Sequence, residues 1–288
     1  MPQNPAAILG ISFCHGDSSA ALIKDGVLVA AAEEERFNRV KHYALYPELA
    51  IEYCLKHAGL EPKDIEVVAI ARRPLRHFFR KVRFALAHPG VLQRRKHHPD
   101  KIEKLSHFLN RVGLGHARIS KTEHHEAHLW SARYLENEEK MAMLSFDGLG
   151  DFVSTTIAKT EGDEMEILDQ VYFPHSLGFF YTAMTQYLGF PYFGDEFKVM
   201  GLSSLGKPTL LPVLKELIRE DKHFGFKLNL EAFPLLRHPL TFYVEKSQPK
   251  INPFFHVGLL TQMLGIPPRK PTDKLTPQHA DLAKSVQV

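Results

Sequence analysis

The chain has 288 residues, 44% hydrophobic, 24% charged and 10% aromatic, with a formal charge of +3; this is the composition of a globular protein and excludes a disordered or fibrous one. Its longest apolar runs, such as 68–71 and 141–146, fall far short of the ~20 residues a spanning helix needs. The start shows no basic stretch followed by an apolar one, so no signal peptide is expected, and the two distant cysteines, Cys14 and Cys54, suit a reducing cytoplasm.

In chain order, residues 7–13 read as a strand, His15-Gly16-Asp17-Ser18-Ser19 as a polar turn and 20–24 as a second strand. Asp25-Gly26 is a hairpin signal, and 27–32 is a third strand. A charged segment, 33–42, precedes an amphipathic helix over 47–58 that stops at Gly59, and 65–71 is a fourth strand. This order opens an α/β domain. Residues 72–98 hold nine Lys or Arg and no acid; they read as partly helical, with Phe78, Phe79, Val82 and Leu86 on one side and a break at Pro89-Gly90. A polar helix is expected over 100–112 and a short strand over 118–122, leading into Glu123-His124-His125-Glu126-Ala127-His128 and then a helix to about 135. Residues 141–146 read as a buried strand, 147–151 as a tight turn, 153–159 and 165–173 as a continuing meander, and 177–188 as a helix. Residues 191–208 are rich in Gly and polar residues, and 234–276 read as irregular, proline-rich chain. A helix beginning at 276 stops at 288 without a cap, so the chain is expected to be a fragment.

Four constellations could carry chemistry. His124 and His128 are four apart, so a helix puts them on one face, and Asp147 follows at the end of a strand beside Gly148. Two imidazoles and a carboxylate suit iron or zinc better than magnesium; the alternative is a surface helix that happens to hold histidines. The turn at 15–19 could cradle an anion, with His15 as donor or general acid–base, or be a plain hairpin. In the segment 33–42, Lys41 could bind a phosphate or other anionic oxygen, against the plainer reading of a solvated charged face. Gly194-Asp195-Glu196-Phe197-Lys198 could open a helix that holds an anion, or be a linker. The basic stretch 72–98 admits a nucleic-acid footprint, a membrane-surface helix or a basic cap; no nucleic-acid motif accompanies it.

Together and in register, these segments resemble the O-carbamoyltransferases of the nodulation-protein-U type and of antibiotic tailoring, of the cephamycin and tobramycin types. The resemblance covers most of 7–210. It rests on Gly10-Ile11-Ser12 with His15, Asp17 and Ser19-Ala20-Ala21, and on Glu33-Glu34-Glu35-Arg36-Phe37 with Lys41-His42. It continues through His124-His125, Ala127-His128, Asp147-Gly148, Gly150-Asp151 and Lys198-Val199-Met200-Gly201-Leu202. It implies an actin/sugar-kinase/Hsp70-like (ribonuclease H-like) fold, similar also to the tRNA threonylcarbamoyl-transferase subunit. The carbamoyl-transfer domain would have its first half in 1–210, with a basic helical insertion at about 72–115, and an irregular continuation over 211–288. A C-terminal domain making carbamoyl-adenylate from carbamoyl phosphate and ATP would be absent, possibly supplied as a separate chain.

The resemblance further implies a divalent metal, iron(II), on His124, His128 and Asp147, and His15 and Lys41 as catalytic contacts to carbamoyl-adenylate. Asp17, Ser19, Arg36, Asp195 and Lys198 are expected to bind substrate, and the acceptor to be a hydroxyl of a sugar or natural product. Nucleic acid is not expected as a partner. The competing readings are a tRNA threonylcarbamoyl transferase-like protein, in which the basic stretch would bind tRNA, and a non-catalytic fragment or scaffold.

Overall fold

The computed structural model describes residues 7–89, 103–136, 138–221, 225–236 and 242–288. The chain is α/β and divides into two compact units: Met1–Arg73 with His97–Glu123 and Phe242–Lys250, and Pro74–Lys96 with His124–Thr241 and Ile251–Val288. The tail of the basic stretch, 90–98, and the first residues of the expected polar helix lie outside the described residues.

Unit one is built on a meander of β1 (Ala7–Ser12), β2 (Ser19–Lys24) and β3 (Val27–Glu33). The turn between β2 and β3 takes positive φ at Asp25 (50°) and Gly26 (80°), the pair that a two-residue hairpin of this twist requires. The strands β4 (Val67–Ile70) and β5 (Arg118–Lys121) run parallel to β1, giving the order β3-β2-β1-β4-β5. The sheet is mixed, antiparallel over β1–β3 and parallel over β1, β4 and β5, as the α/β reading expects. Alternation along β1 buries Ala7, Leu9 and Ile11.

Those residues meet Ala50, Ile51, Cys54 and Leu55 of one helix and Phe108 and Leu109 of another, Leu105–Arg111. The short helix α1 (Glu35–Asn38) follows β3, and α2 (Glu48–Ala58) ends at Gly59, whose left-handed φ of 66° closes it. Glu34, buried before α1, accepts the Ala50 N–H at 2.8 Å and so serves an otherwise unpaired donor at the start of α2.

A hairpin, Phe242–Glu245 with Gln248–Ile251, falls mainly in unit one: Ala44 N–H donates to the Ser247 carbonyl at 2.9 Å. The irregular reading of 234–276 is therefore corrected, since a helix, Val257–Leu264, also forms there. Proline content misled, because Pro253, Pro267, Pro268 and Pro271 lie between elements, and Pro249 sits on a two-stranded hairpin where a missing N–H is tolerated.

Unit two holds the helix α3 (Phe78–Ala87), the helix α4 (His124–Tyr134) and a second meander, β6 (Lys140–Gly150), β7 (Val153–Glu161) and β8 (Glu164–Tyr172). The expectation that 141–146 is buried throughout is overturned. Met143 and Ser145 are buried, but Leu144 and Phe146 are 58% and 63% exposed. One face of β6 packs under α4, where Leu129 meets Met143, and the other is open, so alternate side chains face solvent; an unbroken apolar run does not distinguish this from full burial.

The expected turn at 147–151 is mostly strand. The ladder pairs Phe146 with Thr155, skips, and resumes at Gly150 with Val153, while the reversal falls on Asp151 and Phe152, with φ of 49° and 84°.

The helices α5 (Leu177–Tyr187), α6 (Glu196–Ser203), α7 (Leu211–Leu217), α8 (Val257–Leu264) and α9 (Pro277–Gln287) surround a core that includes Met184, Tyr187, Leu217, Phe233, Leu260 and Leu282. The buried guanidinium of Arg269 binds this layer by donating to the carbonyls of Leu188 (2.6 Å), Gly189 (3.2 Å) and Asp273 (2.7 Å).

Candidate metal centre

The helix α4 opens on His124, whose backbone N–H donates to Asp151 Oδ2 at 3.3 Å, an acid placed at the positive end of the helix. Helical spacing then separates three histidines. His125 turns inward and is fully buried: its Nε2–H donates to the Val153 carbonyl at 3.0 Å, and its Nδ1 accepts from the Ser145 hydroxyl at 2.9 Å. Burial pushes this imidazole down to about 4, so it is neutral and structural.

His124 and His128 take the outward face, with their Nε2 atoms 3.1 Å apart. Asp147 Oδ2 lies 2.8 Å from His124 Nε2 and 3.8 Å from His128 Nε2. Ligand atoms about 2.1 Å from one cation stand roughly 3.0–3.4 Å apart at right-angled or tetrahedral geometry; the 3.1 Å spacing falls in that range and the 2.8 and 3.8 Å spacings lie on either side of it, so small side-chain shifts bring the three atoms to one divalent ion. The set leaves coordination positions open, as two imidazoles and one carboxylate do in a catalytic rather than a structural site. Hydrogen bonds from His124 and then His128 hold the Asp147 carboxyl well below the usual carboxylate range.

The surroundings fix these side chains. The Gly148 N–H donates to Asp147 Oδ1 at 2.6 Å. Ser176, the N-cap of α5, shares its hydroxyl between the carbonyls of Asp147 (3.0 Å) and Gly148 (2.7 Å). Two glycines are required by space. A Cβ on Gly150 would fall inside the His124 ring, and one on Gly178 would stand 2.7 Å from the Asp147 carbonyl.

The other expected site residues divide between the units. In unit one, His15 is exposed on the turn after β1; its Nδ1–H donates to the Gly16 carbonyl at 2.9 Å and its Nε2 lies 3.1 Å from Ser12 Oγ. Asp17 Oδ1 meets His42 Nδ1 at 2.8 Å. Lys41 Nζ meets Glu35 Oε1 at 2.7 Å, while Glu35 Oε2 accepts the His42 N–H at 2.8 Å. Glu35 and His42 thus organise the neighbourhood of Lys41 and Asp17, although the sequence reading gave neither a role; the signal was present only as acids six and seven residues before Lys41-His42. Arg36 pairs with Glu33 at 3.2 Å, and Ser19 sits in the ladder opposite Ser12.

In unit two, Asp195 and Lys198 pair with each other at 2.7 Å at the start of α6. Asp195 is buried and also accepts the Tyr192 N–H at 3.1 Å, while the Lys198 ammonium lies 5.8 Å from the rings of Phe190 and Phe197.

A family model described as Carbamoyltransferase N-terminus matches residues 7–255. An uncharacterized protein of Synechocystis sp. is 32% identical over 98% of this chain and 46% of its own length. The nodulation protein NolNO of Sinorhizobium fredii is 31% identical over 96% of this chain and 37% of its own length. The chain thus spans less than half the length of these relatives. Among solved structures, YeaZ from Pseudomonas aeruginosa is similar at a TM-score of 0.32 with 13% identity, covering 59% of this chain and 68% of that one. The match across residues 7–255 includes every candidate site residue on both units, and the chain belongs to the carbamoyltransferase N-terminus family.

Proposed function

We propose that this chain is the metal-bearing part of an O-carbamoyltransferase, which moves a carbamoyl group from carbamoyl-adenylate to a hydroxyl of a sugar or natural product. The observation that carries the reading is the convergence of His124, His128 and Asp147 within a chain of this family. Iron(II) suits two imidazoles and a carboxylate with open positions; when bound, it supplies Lewis acidity toward a carbonyl or hydroxyl oxygen. On this reading, carbamoyl-adenylate is made from carbamoyl phosphate and ATP elsewhere in the complete enzyme.

The acceptor oxygen attacks the carbamoyl carbon, the bond to the adenylate oxygen breaks, and AMP leaves with the electron pair while the hydroxyl proton is lost. Lys41 supplies positive charge to the oxygens on which charge grows, and its pairing with buried Glu35 holds it in place. His15, with Nδ1–H committed to the Gly16 carbonyl, presents Nε2 from the β1–β2 turn as a general base that accepts the hydroxyl proton. In the complete enzyme, Lys41→Ala and His15→Ala are each expected to lower carbamoyl transfer about 100-fold while metal content stays at the wild-type level. Transfer at the wild-type rate in both variants overturns these roles.

A further inference from the structure

The helix α3 shows no buried residue in any of its ten positions. One face is seated on unit two. Phe84 packs edge-on against Phe152 and Phe173, with ring centroids at 5.3 and 5.4 Å, and the Arg80 guanidinium lies 3.8 Å over the Tyr172 ring. Just before the helix, Arg76 pairs with Glu126 at 3.1 Å.

The opposite face carries Phe79, Val82 and Leu86, whose spacing of three and four residues makes one stripe. They are 86%, 40% and 78% exposed; Phe78 beside them is 52% exposed, and Leu75, in the turn before the helix, is 79% exposed. Single exposed apolar residues are ordinary; an aligned stripe on one helix marks an interaction surface. Every charge on the helix, at Arg80, Lys81 and Arg83, is positive, and no acid occurs anywhere in 72–98.

We infer that α3 is an interfacial helix that lies on an anionic lipid bilayer. A convex apolar ridge flanked by arginine and lysine is the form that settles into the headgroup boundary, with the ridge toward the acyl chains and the cations at phosphate level. No helix among the described residues is long and apolar enough to cross a membrane. A nucleic acid would use the cations and stack on the phenylalanines, but it leaves Leu75, Val82 and Leu86 without a partner.

The test is co-sedimentation of the chain with vesicles of phosphatidylcholine alone and with one-third phosphatidylglycerol. Binding is expected only to the anionic vesicles and weakens with salt. It falls about tenfold in Phe79→Glu/Leu86→Glu and about tenfold in Arg83→Glu. These side chains lie outside the core, so each variant keeps the wild-type melting transition, checked by circular dichroism. Absence of binding to anionic vesicles overturns the inference. So does undiminished binding by the apolar-stripe variant, which would leave a purely electrostatic surface suited to nucleic acid or an acidic protein.

Discussion

Gly150→Ala is expected to lower affinity for a divalent metal about 100-fold, because the methyl group occupies the space of the His124 ring. The strand β6 cannot yield there: its ladder with β7 resumes at Gly150 opposite Val153, and the chain reverses at once through Asp151 and Phe152. The ring must therefore swing away from Asp147, breaking the 2.8 Å contact that aims Nε2 at the shared locus. Overpacking of this kind also costs about 1–3 kcal/mol of stability. Gly201→Ala is the matched control. It lies inside α6 with open space around its Cβ position, and is expected to keep metal affinity and gain about 1 kcal/mol from helix propensity. Equal metal affinity in Gly150→Ala and wild type would remove the steric argument for how His124 is aimed.

The second large effect is acid lability centred on His125. This imidazole is wholly buried, both ring nitrogens are engaged, and burial depresses it to about 4 from an unfolded value near 6.5. The unfolded chain accepts a proton that the folded chain refuses, so the stabilisation is complete above about pH 6.5 and is lost as pH falls toward 4. The displacement corresponds to about 3 kcal/mol. Urea unfolding at pH 7, 5.5 and 4 should show wild type losing about 3 kcal/mol more than His125→Leu over this window. The variant starts lower at pH 7, because it leaves the Val153 carbonyl and Ser145 hydroxyl without their partner. Parallel pH curves would show that His125 carries no such linkage.

Much of unit one was legible because its signals are local. The Asp25-Gly26 turn, the Gly59 stop and the apolar run at 7–13 each act within a few residues. The candidate metal ligands were legible for a mixed reason. The four-residue spacing of His124 and His128 follows from helical period, and Asp147 stood out as a carboxylate at a strand end beside Gly148; the family resemblance then joined the same three as one ligand set. Spacing could not show that His125 faces the core; that depends on Ser145 and Val153, reached through the β6–β7 ladder. Burial of β6 was misread because a strand packed on one face can carry an apolar run with half of it in solvent. The hairpin at 242–251 escaped although its strands pair locally, because the prolines of the region read as irregular chain. Distance in sequence hid the Arg269 network, in which a single arginine serves carbonyls at 188, 189 and 273.

The most direct test of the metal centre is elemental analysis of the chain purified without oxygen, beside His124→Ala/His128→Ala. The account predicts near-stoichiometric iron in the wild-type chain and its loss in the double variant, with the fold retained because neither ring is part of the core. Iron absent from the wild-type chain after anaerobic reconstitution, or retained equally by the double variant, would contradict a centre built on His124, His128 and Asp147.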